Sequence, residues 1–466
     1  MSPSHGTASS AAVPRPPSDP WRGFFPAFKV DPLRFLESCL AYGDLVYLPY
    51  GRLGDWLTGR RDAGSYLVFH PADVRHVLLT NQANYPKREV PSAETALFGQ
   101  GLLHVEGALH RQRRRIVLPT LGPTHHQRFA ELVVAATTEA MGRWCGAPRI
   151  DLARAMMELA LTIIWQVLFG EALGARGAAA YAAMTAAQEK VSSQYRSLLA
   201  QVMPLWVPTT ANRAFARAMR ELNALCLDGL DRCVAAEGTA HGGPSVAAAL
   251  VAARDEQGVA LDRQALRDEL MTLLLAGHET TANALEWMWL VLNDHPDIAT
   301  RMREEVVRVA PERPLTLADL PALSYTRMVW QEVLRLYPPA WMMHGRRVRD
   351  EDQLPSGTRL PAGSDVRLSP YLTHRDPRWF PQPERCVPER WTDGTEAARH
   401  AYTYFPFGGG ARHCAGEGLA QLEGPLIVAT ILQRGLLRLV PGQTVIPHPL
   451  FTLRPSSPLW MQAQAW

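Results

Sequence analysis

Lysine is almost missing from this chain. Of 48 basic residues only Lys29, Lys87 and Lys190 are lysines, so nearly all the positive charge is guanidinium, the group suited to bidentate pairing with carboxylates. Net charge is also low. At +3 over 466 residues it gives no basic footprint for nucleic acid, and no zinc-finger, RRM or helix-turn-helix pattern accompanies it. The six cysteines, at 39, 145, 226, 233, 386 and 414, contain no C-x-x-C and no paired framework. That excludes a disulfide scaffold and reads as reduced cytosolic thiols. Flavin and iron–sulfur motifs are missing too. The first twenty residues, rich in Ser, Pro and Ala, hold no apolar core of signal-peptide or membrane-anchor length, and read as a disordered leader. A soluble, cytoplasmic monomer is expected, with one domain over 21–466, since 47% hydrophobic and 20% charged residues suffice for a substantial core.

What the chain does have is one cysteine in an unusual setting. Phe407-Gly408-Gly409-Gly410-Ala411-Arg412-His413-Cys414-Ala415-Gly416 combines glycines, open to positive φ and to close approach by a large flat ligand, with an arginine two residues before the thiol. An apolar helical run follows from about Glu417, so that helix N-terminal amides would stabilise a thiolate. Thiolate is the form that pushes electron density onto haem iron and favours O–O cleavage. Upstream, Ala276-Gly277-His278-Glu279-Thr280-Thr281 lies in a long helix expected from about Asp262, a plausible N-cap, to Asn293, before His295-Pro296. Its stretch Leu270–Gly277 carries no charge and should cross a protein interior. An acid and a hydroxyl there are costly unless used or paired. One pairing open to them is local, with Thr280 bonding back to the Ala276 carbonyl and Glu279 in a buried ion pair. A third motif, Glu332-Val333-Leu334-Arg335, places a carboxylate and a guanidinium on one helix face, with Pro388-Glu389-Arg390-Trp391 farther on.

The pattern Phe-x-x-Gly-x-Arg-x-Cys-x-Gly, without departures from Phe407 to Gly416, resembles the haem-binding signature of the cytochrome P-450 monooxygenases, and the other two motifs stand in that family's order. The resemblance covers the chain after residue 20. It implies a mainly α, triangular fold with small β-sheets, and haem b between the long central helix and the cysteine loop. Cys414 would be the iron ligand, with Phe407, Gly408, Arg412 and Gly416 framing it and Ala276 lying over the haem. The small pair Ala276-Gly277 would loosen one helical turn to make room for dioxygen, and Glu279 and Thr280 would deliver protons. Glu332, Arg335 and Arg390 would form a buried charge triad that fixes the cysteine loop. His110 and Arg114, four apart in a basic helix, would share a face toward a propionate, while other arginines of that helix face a redox partner. A further propionate contact would come from Arg346 or Arg347, with Arg346 preferred.

By family position the substrate pocket would be lined by Leu102, Leu103, Leu274, Gly277, Ala340, Met342, Leu450 and Phe451, under a lid from Gln194 to Val207. The implied reaction inserts one oxygen atom of O₂ into a hydrophobic small molecule such as a terpenoid, fatty acid or polyketide. Electrons would come from NAD(P)H through a separate ferredoxin or flavodoxin. A peroxide-driven peroxygenase and a haem sensor or carrier without turnover are the alternatives, and the intact Glu279-Thr280 pair weighs against both. Local periodicity adds a first helix opening at Asp31-Pro32, strands at Leu45–Leu48 and Tyr66–Phe69, and helices from about Pro71 to His344.

Overall fold

The computed structural model describes residues 13–196, 200, 203–236, 245–255, 257–392, 400–456 and 458–465. Most of the expected leader, part of the expected lid and the Gly-rich loop His241–Pro244 lie outside the described residues. The chain is mainly helical with small sheets, as expected. It forms two compact units, each discontinuous in sequence: Met1–Arg88 with Trp341–Arg385 and Ala397–His413, and Glu89–Ala340 with Cys386–Glu396 and Cys414–Trp466.

The first unit is built on a four-stranded sheet in the order Leu45–Pro49, Gly64–Val68, Asp365–Leu368, Arg346–Arg347. The outer pairs are antiparallel and the central pair, Ser65 to Val68 on Asp365 to Leu368, is parallel. A parallel pair needs a long crossover, and here the connection carries most of the second unit. Leu45, Val68, Val366, Leu368, Val74, Leu78 and Phe405 fill one side. Asp31 caps the helix Pro32–Cys39 by accepting from the Arg34 amide, as its sequence indicates, but this is not the first helix. Phe25–Val30 precedes it, and Gly51–Thr58 intervenes between the two strands. Neither has a capping side chain; the former is held by ring packing of Phe24 on Phe28, four residues on, and on Phe35 of the next helix.

The second unit is organised around the helix Arg263–Asp294. Asp262 caps it by accepting from the Ala265 amide at 2.7 Å, and it ends at His295, where Pro296 begins the next helix. The helix Leu152–Phe169 packs along it. That helix is long and apolar enough to cross a membrane, yet thirteen of its eighteen residues are buried in the unit's interior, as a core helix requires. Glu417–Leu432 is buried from Leu422 to its end.

Candidate active site

Cys414 precedes the helix Glu417–Leu432 by three residues. The backbone amides of Gly416 and Glu417 donate toward its sulfur, and Arg114, in the helix Gly107–Thr120, adds positive potential there. These favour thiolate. Burial acts in the opposite direction and pushes the thiol up. The residue as a whole keeps accessible surface although its thiol is densely surrounded. A sulfur with amide donors and a guanidinium beside it suits a thiolate ligand of haem iron. The thiols of Cys39, Cys226 and Cys386, by contrast, are driven up to about 12 by burial. His110 lies one turn before Arg114 and is buried, while Arg114 is half-buried.

Phe407, Gly408, Arg412, Arg346 and Met342 belong to the first unit. Gly408 and Gly410 have φ of +72° and +63°, the region glycine alone enters cheaply. Gly410 is the tighter position: a Cβ there would lie 1.8 Å from the Leu78 carbonyl oxygen. Phe407, Arg412 and Met342 are half-buried. The two adjacent arginines separate cleanly. Arg347 is committed to Asp365, its Nε and Nη2 donating to Oδ1 at 3.1 and 2.9 Å, whereas Arg346 is buried.

The central helix is buried from Ala265 to Leu275, but Ala276 is exposed and Gly277 and Thr280 are half-buried. The apolar run therefore does not stay in packed core as far as Gly277. Nor is a turn loosened: the helix is continuous through Thr280, whose hydroxyl donates to the Ala276 carbonyl at 2.8 Å, the local pairing weighed above. Gly277 has a packing reason, since a Cβ would sit 2.8 Å from Ile164 Cδ1 of the helix Leu152–Phe169. Glu279 forms no ion pair within 4.0 Å among the described residues. Its Oε1 accepts from the Thr452 hydroxyl at 2.6 Å and its Oε2 from the Gln188 amide at 2.7 Å, and burial raises its pKa.

The triad residues come together. Arg335 donates to both oxygens of Glu332, at 2.9 and 2.8 Å, and Arg390 Nε lies 3.4 Å from Oε1; Glu332 and Arg335 are fully buried. Two further donors escaped sequence reasoning. The Val387 amide and the Trp391 indole each reach Glu332 at 2.9 Å.

Of the expected pocket residues, Leu103, Ala340, Leu450 and Phe451 are half-buried and Leu102 nearly closed off. Phe451 lies 6.3 Å from both Phe98 and Tyr195, ring to ring. Leu274 is a correction: it is completely buried, so it packs core and lines no cleft. The loop bearing Leu102 is pinned to the central helix by residues the sequence did not flag. Gln100 and Leu102 amides donate to Asp268 and Glu269 at 2.8 and 3.0 Å, and Gly101 lies so near Thr272 that a Cβ would be 2.1 Å from its hydroxyl. Burial pushes Glu269 up to about 7. The only available signal was two adjacent acids opposite two glycines.

A family model described as Cytochrome P450 matches residues 50–460. Two proteins of Streptomyces melanosporofaciens, cyclooctatin synthase and cyclooctat-9-en-7-ol 5-monooxygenase, are each 34% identical to this chain. The alignments cover 91% and 94% of this chain and 89% and 95% of those proteins. Pentalenene oxygenase of Streptomyces avermitilis is 30% identical over 91% of this chain and 90% of its own. Among solved structures, retinoic acid bound cyanobacterial CYP120A1 superposes with a TM-score of 0.82 at 24% identity, over 98% of this chain and 100% of that one.

Proposed function

Because this chain belongs to the cytochrome P450 family, it is a haem b monooxygenase, and we propose that it oxidises an apolar terpenoid, with electrons passed from NAD(P)H by a separate ferredoxin or flavodoxin. The observation that carries the substrate class is the run of relatives named for cyclooctatin, cyclooctat-9-en-7-ol and pentalenene, each matched over nine-tenths of this chain. The apolar, partly exposed Leu103, Ala276, Ala340, Leu450 and Phe451 are compatible with it. Haem b, when bound, supplies the iron at which dioxygen is activated.

The chain's own residues would hold and steer that chemistry. Cys414 is the sulfur donor, Arg114 and His110 face a propionate, and Arg346 is the second propionate contact we assign. Ala276, exposed and without bulk, leaves Thr280 uncovered. Glu279 is the proton donor: burial keeps its carboxyl protonated more readily than an exposed acid, and Thr280 passes the proton on after its hydroxyl turns away from the Ala276 carbonyl. This retained acid and hydroxyl favour oxygen-driven turnover over a peroxygenase or a non-reacting haem carrier. We place the protein in the cytoplasm.

Spectral titration of the purified haem protein with cyclic terpene hydrocarbons, terpene alcohols, fatty acids and macrolide polyketides tests the substrate class. Terpenoids should give the displacement of haem-bound water at the lowest concentrations; tighter binding by fatty acids would reject the proposal. Thr280→Ala should leave that titration nearly unchanged while diverting electrons to hydrogen peroxide. Loss of a positioned acid or base costs about 10² to 10⁴ in rate, so unaltered coupling of NADPH to product in this variant would mean that the proton path runs elsewhere.

A further inference from the structure

The second unit holds a cavity of about 350 Å³, lined by none of the site residues assigned above. That volume is at the small end of ligand pockets. The cavity lies where three helices begin: His126 is the first residue of the helix His126–Trp144, Arg327 the fourth of Ser324–Leu336, and Gly418 and Gln421 are the second and fifth of Glu417–Leu432. Helix starts carry partial positive charge. Leu317, Leu320 and Leu422 make the wall apolar, and no acid is among the lining residues. Asp319, between the first two in sequence, is committed elsewhere, its two oxygens accepting from Arg313 at 2.7 and 2.6 Å.

Two polar side chains of this wall have little to bind within the chain. His126 Nε2 is buried and has no hydrogen-bond partner among the described residues. The bare Gly418 gives its ring room, because a Cβ there would lie 3.2 Å from Cε1 and Nε2. A ring nitrogen left in that condition is costly. Arg327 is exposed, and its guanidinium forms no ion pair within 4.0 Å among the described residues. An anion in the cavity satisfies both groups.

We propose that this cavity is a second ligand site, separate from that of the oxidised substrate, and that it takes a small carboxylate carried on an apolar body. The carboxylate accepts from the Arg327 guanidinium and the His126 Nε2–H, with the Gln421 amide as a further donor, while the body rests on the three leucines. A guanidinium fork matches the two oxygens of a carboxylate. An alcohol of the same shape leaves that charge unmatched. Binding makes and breaks no covalent bond. It braces the first turn of the helix that follows Cys414, since Gly418 is four residues after the cysteine, and its effect is a gain in stability of the folded protein. The inference is independent of the terpenoid reading.

The test uses the haem-loaded protein with its iron saturated by an azole, so that the substrate site is closed to the probes. Hexanoate, 3-phenylpropionate and indole-3-acetate are titrated into it calorimetrically, with 3-phenylpropanol and acetate as controls. At least one of the three carboxylates should bind saturably, one per protein, and raise the thermal midpoint, as a ligand of the folded state does. The alcohol, which lacks the charge, and acetate, which lacks the body, should bind at least about tenfold more weakly. Arg327→Gln removes the cation and Gln421→Glu adds an acid to the wall. Each should weaken binding by about 10- to 100-fold, the worth of a hydrogen bond to a charged group. Both positions are at least partly exposed, so the azole-free spectrum of the reduced protein under carbon monoxide should stay as in the wild type. Equal binding of the alcohol, or undiminished binding in both variants, would put the ligand elsewhere and overturn the proposal. So would the absence of saturable binding by all three carboxylates; slowed electron transfer from a surrogate ferredoxin in the same variants would then make the cavity a protein contact instead.

Discussion

Cys414→Ser should abolish the strongly red-shifted Soret band that reduced, carbon-monoxide-treated wild-type protein shows, and with it monooxygenase turnover. A serine oxygen is a harder and far less acidic donor than sulfur. It neither binds the iron as an anion at neutral pH nor donates the electron density that favours O–O cleavage. The surroundings sharpen the expectation: the Gly416 and Glu417 amides and Arg114 all act on the position that Sγ occupies. Of the other five cysteines, Cys39 and Cys226 are buried and Cys386 has its thiol pushed up by burial. Persistence of the shifted band in the serine variant, or a band typical of histidine-ligated haem in the freshly folded wild type, would remove Cys414 from its assigned role.

Arg335→Ala and Glu332→Ala should each yield little or no haem-loaded protein. Removing one partner of a buried charge pair leaves the other uncompensated, at roughly 3–5 kcal/mol, which is a large part of the stability of an ordinary fold. Here the penalty spreads further than one pair. Glu332 accepts from Arg335, from the Val387 amide and from the Trp391 indole, with Arg390 3.4 Å from Oε1. Losing the carboxylate therefore frees donors on the segment Cys386–Glu396 as well as on its own helix. Thermal unfolding and haem content per protein are the measurements. An Arg335→Ala protein that folds, loads haem and turns over normally would show the pair to be an ordinary helix-surface contact of small worth.

The residues that act through local chemistry were legible without coordinates. The glycines around Cys414, the Asp262 cap, the Pro296 stop and the i, i+3 spacing of Glu332 and Arg335 announce themselves because a turn, a helix end and a helix face depend on neighbours within a few positions. That locality is also why the family pattern could be matched residue by residue and why the mainly helical class followed. Other features depend on what lies across the fold. Gly277 looks like room for a ligand but is room for Ile164, and Leu274 looks like a pocket residue but is sealed in core. Arg347 is held by Asp365, eighteen residues on, and the grip on Glu279 came from Thr452, 173 residues away.

By itself, then, the sequence determined the family, and with it the cofactor class and the reaction type, since its motifs reside in one short loop and two helices whose residue types admit few other uses in that combination. Tertiary structure alone decided which turn of the central helix is exposed, which acids are desolvated and which donors converge on them. Burial and long-range hydrogen bonding set the cost of a charge, and both are properties of the packed chain rather than of any segment of it.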